Sequence, residues 1–382
     1  MDLLIKNVSV YTPASIGPGS VLVKDGRIAG VYRMGETPPD VESLDLGGAA
    51  LGPGLIDVHT HGADMVELMN GGDAAAHLAR FFVRHGVTGF LPATVTDAYD
   101  AIAGAAESVR EAMDGVEGGA RVLGIHLEGP FVSPKRLGAQ SPEFCIPPMS
   151  ESVEQLLEVA GDVAKIVALA PEEEGGIGAI ERFVSQGIVV SLGHTVATAE
   201  QALDAFAAGA RQVTHLFNGM QPMHHREPGV VGAALTTPGV MAEIIADGVH
   251  LAPMTIRLAL AAKGGDEVLL ITDSMAATGC EDGEYILGPM KVYVRDGEAR
   301  LEAGNLAGST LTLERAVVNV ARWTDAGLAG AWQMASLNPA RQLGLDGRLG
   351  RIAPTYDADL TALDASGRVV MTMVGGQIVY RG

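Results

Sequence analysis

Apolar and polar residues alternate near both ends of the chain, a period typical of β-strands whose two faces have different environments. The pattern runs through LLIKNVSVY (3–11), VLVKDGRIAGVY (21–32) and the last segment, DADLTALDASGRVVMTMVGGQIVYRG (357–382). Asp25-Gly26 predicts a hairpin turn inside the second of these stretches. We therefore expect a small β-sandwich domain that residues 1–50 and 345–382 build together.

The middle of the chain, residues 51–344, follows a different pattern. Short runs of Val, Ile and Leu, which suit parallel strands buried on both faces, alternate with Ala-rich helical stretches such as TAEQALDAFAAGA. The predicted strands are residues 54–58, 88–94, 122–128, 165–170, 188–194, 212–217, 241–247 and 267–273. Eight alternations predict an α/β fold, the TIM (β/α)8 barrel. No GxGxxG loop follows an early strand, which argues against a Rossmann fold, and Asp296-Gly297 predicts a further hairpin.

Six titratable residues stand at the ends of five of these predicted strands. In a TIM barrel the carboxyl ends of the strands form the active-site face, so these side chains should converge. The candidates are His59, His61, Glu128, His194, His215 and Asp273. Each has an ordinary explanation when taken alone, such as a helix cap or a hydrogen-bonded core histidine. The whole set predicts a metal site, since imidazole and carboxylate groups are the usual ligands of zinc and related divalent ions.

Composition and charge narrow the class of protein. Apolar residues make up 47% of the 382 residues, which fits a globular protein with a large core. The formal net charge of -20 argues against nucleic acid or an anionic membrane as the main partner. No basic leader and no bilayer-length apolar run is visible, and two distant cysteines give no disulfide framework. The cytoplasm is therefore the expected compartment.

The ordered motifs of the middle region resemble those of the amidohydrolase superfamily, and within it the N-acetylglucosamine-6-phosphate deacetylase family. The resemblance runs over nearly the whole chain. Single motifs such as the HTH of residues 59–61 are only moderately specific, whereas the ordered set is highly specific. The matching motifs are HLEGPF (126–131), SLGHT (191–195), THLFNGM (214–220), REPG (226–229), ADGVH (246–250), TDS (272–274) and LAGSTLT (306–312).

This resemblance implies metal-dependent deacetylation of N-acetylglucosamine 6-phosphate, in amino-sugar catabolism and cell-wall sugar recycling. By resemblance, Glu128, His194 and His215 hold the principal metal; His59 and His61 add a second, which Glu128 can bridge. Asp273 is a further ligand and the catalytic acid/base. The metal is expected to be zinc, one or two per chain, with iron, cobalt and manganese as alternatives. The implied substrate contacts are Ala139, Asn218, Gly219, Arg226, His250, Leu306, Ala307 and Gly308. Arg226 is expected to reach the phosphate bound by the other subunit of a homodimer.

One position departs from the family pattern. Gln140 stands where histidine is common, and glutamine keeps a donor and an acceptor but cannot carry charge. We expect Gln140 to contact the sugar or the acetyl group from a lid loop (138–149), and N-acetylgalactosamine 6-phosphate stays open as the substrate. Cys145 in the same loop is predicted to be a partly buried thiol, and a metal or redox contact is the alternative.

Two rival functions also stay open. One is a different amidohydrolase, such as a dihydroorotase or an N-acyl-amino-acid deacylase. Such enzymes usually carry a bridging modified lysine on the fourth strand, and Lys165 lies at the wrong end of that strand. The other is a non-catalytic relative that kept the barrel as a binding scaffold, which a missing ligand or base would favour; none is missing here.

Overall fold

The computed structural model describes residues 2–382 as alternating strands and helices flanked by strands from both termini. The strands are β1 (Leu3–Tyr11), β2 (Ser15–Lys24), β3 (Arg27–Arg33), β4 (Ser43–Pro53), β5 (Leu55–Thr60), β6 (Gly62–Ala63), β7 (Val66–Glu67), β8 (Val87–Pro92), β9 (Arg121–Val122), β10 (Ile125–Glu128), β11 (Ala164–Leu169), β12 (Val189–Leu192), β13 (Gln212–Val213), β14 (Met241–Ile245), β15 (Val268–Ile271), β16 (Gly283–Leu287), β17 (Met290–Arg295), β18 (Glu298–Leu301), β19 (Leu360–Leu363), β20 (Val369–Val374) and β21 (Gln377–Arg381). The α-helices are α1 (Ala74–Phe82), α2 (Tyr99–Met113), α3 (Ser150–Ala160), α4 (Gly176–Ser185), α5 (Ala199–Ala207), α6 (Gly229–Thr236), α7 (Pro253–Lys263), α8 (Leu313–Trp323), α9 (Gly327–Met334) and α10 (Leu337–Gln342). Among these residues, no helix has the length and apolar composition that crossing a bilayer needs.

The strands from the two ends of the chain form one sheet in the order β21-β20-β19-β4-β1-β2-β3. Apolar side chains from both ends, including Ile5, Leu51, Leu360 and Met371, pack into one core, as the alternating pattern predicts. The hairpin at Asp25-Gly26 connects β2 to β3. The sequence predicts a sandwich, but the strands share one continuous order of hydrogen bonds, because β4 pairs with β1 on one side and with β19 on the other.

The middle region contains parallel strands that alternate with helices. One sheet has six strands in the order β10-β11-β12-β13-β14-β15, and another has three in the order β5-β8-β9. A parallel bridge between Ala93 and His126 connects the two sheets. After β15, the backbone N–H of Asp273 donates to the carbonyl of His59 at 2.9 Å. Within each of these two sheets the parallel strands have their carboxyl ends at the same edge, and the bridge and this hydrogen bond connect the two sheets.

Each predicted strand is present, and two of them differ most from their predicted extent. The segment 122–128 is divided into β9 and β10 at Gly124, whose φ of 137° takes the backbone out of the extended region. A Cβ there would lie 2.4 Å from Cγ of Lys165. The segment 212–217 keeps only the two residues of β13, because the backbone turns at His215 (φ 31°) and Phe217 (φ 79°).

A small antiparallel sheet, β16-β17-β18, follows the last parallel strand. Its second hairpin turns at Asp296-Gly297, as the sequence predicts. Leu287, Val292 and Leu301 pack with Met275 and Ala307 into a separate apolar cluster. This sheet therefore lies beside the carboxyl ends of the parallel strands, where the titratable residues are.

Candidate metal centre

The structure brings Glu128, His194 and His215 together at the carboxyl ends of three parallel strands. Glu128 Oε1 lies 3.2 Å from His194 Nε2 and 3.1 Å from His215 Nε2. The two Nε2 atoms are 3.1 Å from each other. All three side chains are buried. Three ligand atoms at these separations surround a single point, which is the arrangement that one divalent ion needs.

A second group of ligand atoms adjoins the first. His61 Nε2 lies 3.0 Å from Asp273 Oδ1 and 3.5 Å from Glu128 Oε2. His59 Nε2 lies 3.7 Å from Glu128 Oε1 and 3.6 Å from Asp273 Oδ1. This His59 atom is buried and has no hydrogen-bond partner. Glu128 therefore stands between two groups of histidines, and a cation would satisfy the unpaired nitrogen of His59.

The four histidines present the same ring nitrogen to the site. Each Nδ1 faces an acceptor outside the site, so each histidine can keep a proton on Nδ1 and offer the lone pair of Nε2 to a metal ion. The acceptors are the carbonyls of Arg136 (2.8 Å, His194), Asn218 (3.0 Å, His215) and Ala93 (3.3 Å, His61), and Oε2 of Glu243 (2.9 Å, His59). This tautomer is the one that binds metals through Nε2.

Electrostatics at the site favour positive charge. Burial lowers the pKa of His59, but the carboxylates of Glu243 and Glu128 outweigh it and raise that pKa to about 10. Burial raises the pKa of Asp273, but a hydrogen bond from His61 and the charge of His59 outweigh it and lower that pKa to about 2. The carboxylates are therefore ionised near neutral pH, and the cluster attracts a cation, either a proton or a metal ion.

Three of these residues have positive φ angles, which residues other than glycine rarely adopt. The φ angles are 47° for His194, 31° for His215 and 50° for Asp273. The parallel strands end two residues before each of them, earlier than the sequence predicts. Such conformations cost about 1–3 kcal/mol each and cluster at functional sites. Here the sharp turns aim the side chains back over the strand ends.

A cavity of about 760 Å³ opens above the cluster. Of the predicted site residues outside the ligand set, most line it: Ala139, Gln140, Asn218, Gly219, His250, Leu306 and Gly308. Ala307 does not line it, because its side chain is buried in the cluster around the small sheet. His250 Nδ1 contacts Asp247 Oδ2 at 2.7 Å, which leaves its other ring nitrogen to face the cavity.

Arg226 does not line this cavity in the single chain. Its side chain is exposed, and Nη1 contacts His225 Nε2 at 2.6 Å. The cations that do line the cavity are Lys135 and Arg136, which the predicted site omits. Arg136 Nη2 donates to Gln221 Oε1 at 2.8 Å, and its Nε is buried without a partner. The Pro-Lys-Arg run shortly after HLEGPF is the sequence signal that could have indicated them.

The amide of Gln140 makes two contacts that the sequence does not predict. It lines the cavity, but its Nε2 donates to Glu128 Oε2 at 2.6 Å and its Oε1 accepts from the Thr96 N–H at 2.7 Å. Gln140 therefore holds a proposed metal ligand. Cys145 lies outside the cavity lining and donates to the Val132 carbonyl at 3.2 Å; burial raises the pKa of its thiol to about 11. It is a partly buried thiol.

The predicted site also omits Glu243, a fully buried residue on β14. It accepts from His59 Nδ1 and, at 3.1 Å, from the backbone N–H of His215. A carboxylate in the middle of the otherwise apolar strand MAEII is unusual, since charged residues are rarely buried without a partner. The glutamate within an apolar strand is the sequence feature that could have indicated Glu243 as a site residue.

Comparison with known proteins gives a consistent set of relatives. The amidohydrolase family model matches residues 50–379. The chain is similar to an N-acetylglucosamine-6-phosphate deacetylase from Bacillus subtilis (strain 168), with 39% identity over 99% of this chain and 97% of the relative. It is also 39% identical to an N-acetylgalactosamine-6-phosphate deacetylase from Escherichia coli O157:H7, over 93% of each.

Among solved structures, the chain is similar to an N-acetyl-D-glucosamine-6-phosphate deacetylase mutant from Mycobacterium smegmatis in complex with N-acetyl-D-glucosamine-6-phosphate. The TM-score is 0.92, with 33% identity over 99% of each chain. The similarity therefore extends over both the terminal strands and the middle region.

Proposed function

This chain belongs to the amidohydrolase family, and on that premise we propose that it hydrolyses N-acetylglucosamine 6-phosphate to glucosamine 6-phosphate and acetate. The observation that carries the proposal is the inward-facing cluster of Nε2 atoms and carboxylates below the cavity. Deacetylases that align with the chain from end to end, one of them in complex with this sugar phosphate, support the substrate.

The residues of the cluster suit one or two divalent ions. Glu128, His194 and His215 would hold the principal ion. His59 and His61 would hold a second ion together with Glu128, which lies between the two groups. Asp273 lies next to these ligands. Imidazole and carboxylate sets of this kind accept zinc, which we propose as the ion, and also iron, cobalt and manganese. A bound ion would polarise the acetyl carbonyl and lower the pKa of water.

Asp273 is the proposed acid/base. Its carboxylate lines the cavity and is ionised at neutral pH, so it can accept a proton from the attacking water. It then passes that proton to the sugar nitrogen as the carbon–nitrogen bond breaks, because an unprotonated amide nitrogen is a poor leaving group. The acetyl group, whose carbon is now bonded to the oxygen of the water, leaves as acetate, and the amine leaves as glucosamine 6-phosphate.

Recognition of the sugar phosphate is assigned to the cavity lining. Lys135 and Arg136 supply positive charge, and Asn218 and Gly219 supply amide donors beside it. His250, with its Nδ1 held by Asp247, is placed to contact a sugar hydroxyl. We further propose that Arg226 of a second copy of this chain completes the phosphate site in a homodimer, because its exposed position leaves it free to reach outward.

We infer that the parallel strands close into a TIM barrel over residues 51–344. The Ala93–His126 bridge and the hydrogen bond from Asp273 to His59, which join successive strands around the site, support closure. Residues 1–50 and 345–382 would then form the second domain, built on the terminal sheet. In that fold the cluster occupies the face where TIM-barrel enzymes carry their active sites.

The test is acetate release by the purified protein, with bound metal measured in the same preparation. We expect fastest release from N-acetylglucosamine 6-phosphate, slower release from N-acetylgalactosamine 6-phosphate and unphosphorylated N-acetylglucosamine, and none from cyclic amides. Preference for the galactosamine ester would favour the activity of the E. coli relative instead. Absence of acetate from every substrate would refute the deacetylase proposal.

The matched control is Asp273→Asn, which is nearly isosteric. It should retain the ion held by Glu128, His194 and His215, because those ligands remain. Turnover should fall below about a tenth of wild type, since an amide cannot transfer the proton. Higher residual turnover would remove Asp273 from the acid/base role.

A further inference from the structure

Glu243 is a buried carboxylate that the proposed reaction does not use. Its side chain is 0% exposed, at the centre of β14. One oxygen, Oε2, lies 2.9 Å from His59 Nδ1 and accepts from the backbone N–H of His215 at 3.1 Å. A single carboxylate oxygen thus contacts one histidine from each of the two ligand groups.

The other oxygen of Glu243 is fixed by a chain of amides. Gln212 Nε2 donates to Glu243 Oε1 at 2.6 Å, and Gln342 Nε2 donates to Gln212 Oε1 at 2.8 Å. The backbone adds a further connection, because the N–H of Leu216 donates to the carbonyl of Glu243 at 2.8 Å. These contacts fix the orientation of the carboxylate, so that Oε2 faces His59 and the backbone of His215.

His59 differs from the other three histidines in having a charged acceptor. His61, His194 and His215 donate from Nδ1 to backbone carbonyls, whereas His59 faces the carboxylate of Glu243. A carboxylate behind an imidazole fixes its tautomer and makes its free nitrogen more basic. Loss of such an outer partner typically weakens metal binding by about tenfold to a hundredfold.

From this arrangement we propose that Glu243 is a positioning residue that selectively strengthens the second metal position, the one formed by His59 and His61. The inference rests on the proposed metal centre. Glu243 does not touch substrate; it acts through the ring of His59. The same oxygen holds the backbone of His215, so it also fixes the spacing between the two positions.

The experiment measures metal affinity, not turnover. Metal-free protein is titrated with Co²⁺, whose visible absorption reports each site, and with Zn²⁺ against a competing chelator. Glu243→Gln keeps the size and one acceptor but removes the charge. We expect the second equivalent to bind about tenfold to a hundredfold more weakly, and the first to change less than about threefold.

Two further variants separate this role from a general loss of stability. Asp359→Asn removes another buried carboxylate, which pairs with Arg121 far from the cluster; it should lower the free energy of unfolding and leave both metal affinities unchanged. Glu243→Asp keeps the charge and should restore part of the affinity that Glu243→Gln loses. If Glu243→Gln does not fold, Glu243→Asp still tests whether a change at this position weakens the second metal position.

The outcomes are distinguishable. If wild-type protein binds no divalent ion, the proposed metal centre fails and this inference with it. If wild type binds two ions and Glu243→Gln binds both with unchanged affinity, only the Glu243 inference is overturned. Equal weakening of both positions would also overturn it and would indicate a purely structural carboxylate.

Discussion

Individual side chains at this site make contacts that their positions in the sequence do not indicate. Gln140 is predicted to face the substrate, yet both ends of its amide are occupied by Glu128 and Thr96. Its donor to Glu128 Oε2 fixes the rotation of that carboxylate, so that Oε1 faces His194 and His215. The replacement of histidine by glutamine therefore bears on the metal ligand more directly than on the choice of hexosamine.

Glu67 is a second residue whose role depends on burial. Its Oε2 accepts from the Gly288 N–H at 2.9 Å, in the turn between β16 and β17, while Oε1 is buried without a partner. Burial raises the pKa of Glu67 from 4.5 to about 7. Between those values the folded state binds more protons than the unfolded state, so the contribution of Glu67 to stability falls as pH rises.

Glu67→Gln should therefore stabilise the metal-free protein, and only above about pH 5. The amide keeps an acceptor for Gly288 and never ionises, so its advantage over wild type should grow toward pH 8, to at most about 3 kcal/mol. Urea unfolding of both proteins at about pH 5 and pH 8 measures this difference, and other titrating groups cancel in it. An advantage that does not change with pH would mean that Glu67 does not titrate as described.

At the scale of elements, β5 carries one corner of the cluster. His59 lies on the strand and His61 just after it, and side chains two residues apart share a face. Their ring centroids are 5.2 Å apart, while Thr60 between them contacts Ser274 Oγ at 2.6 Å. The two-residue period of a β-strand therefore explains why His59 and His61 point to the same site.

Replacing both His59 and His61 with Ala should lower the metal content from about two equivalents to about one. The remaining ligands of the principal position, Glu128, His194 and His215, are on other strands. Elemental analysis after dialysis gives the stoichiometry. His77 and His85 pair with Asp64 and Glu314 outside the cavity lining, so replacing both of these with Ala is the matched control. Unchanged stoichiometry in the site variant would show that HTH holds no ion.

The loop between β10 and α3 has a comparable double role. It lines the cavity through Lys135 and Arg136 and, within the predicted lid loop (138–149), through Gln140. The same loop accepts from His194 at the Arg136 carbonyl and donates to Glu128 from Gln140. The loop that lines the cavity is thus attached to two proposed metal ligands.

At the scale of the whole molecule, net charge opposes the proposed substrate. The chain carries a formal charge of -20, and a phosphate monoester carries about two negative charges near pH 7. Lys135 and Arg136 provide local positive charge in one chain. Arg226 is exposed, and its Nη1 contacts His225 Nε2 at 2.6 Å. A homodimer would bring it to the neighbouring cavity.

Arg226→Ala should raise KM for N-acetylglucosamine 6-phosphate tenfold or more, about 1.4 kcal/mol of binding, because a guanidinium binds phosphate in a bidentate manner. Hydrolysis of unphosphorylated N-acetylglucosamine should barely change. Equal losses on the two substrates would show that Arg226 supports the fold or the chemistry instead.

Mixed subunits test whether Arg226 acts across a dimer. Arg226→Ala and Asp273→Asn chains are refolded together, so that hybrid dimers pair an intact Asp273 with Arg226 of the other chain. We expect the mixture to have a lower KM than Arg226→Ala alone, with up to about half of wild-type activity per hybrid dimer. Activity equal to the sum of the separate variants would contradict a shared phosphate site.

The sequence by itself determined the elements and the identity of the candidate ligands. Strand periods and buried apolar runs are local properties, and they located both hairpins, the terminal strands and every parallel strand to within a few residues. The alternation of strands and helices implied that strand ends meet on one face. That implication selected His59, His61, Glu128, His194, His215 and Asp273, which do lie together.

Only the tertiary structure decided how those residues are held. The partners that fix them are distant in sequence: Glu243 is 184 positions from His59, and Gln140 reaches Glu128 through the fold of a loop without regular structure. The turns at His194, His215 and Asp273 adopt positive φ angles, which histidine and aspartate adopt more often than most residues but still uncommonly. Such conformations and buried polar contacts persist because surrounding packing enforces them, and that packing exists only once the chain has folded.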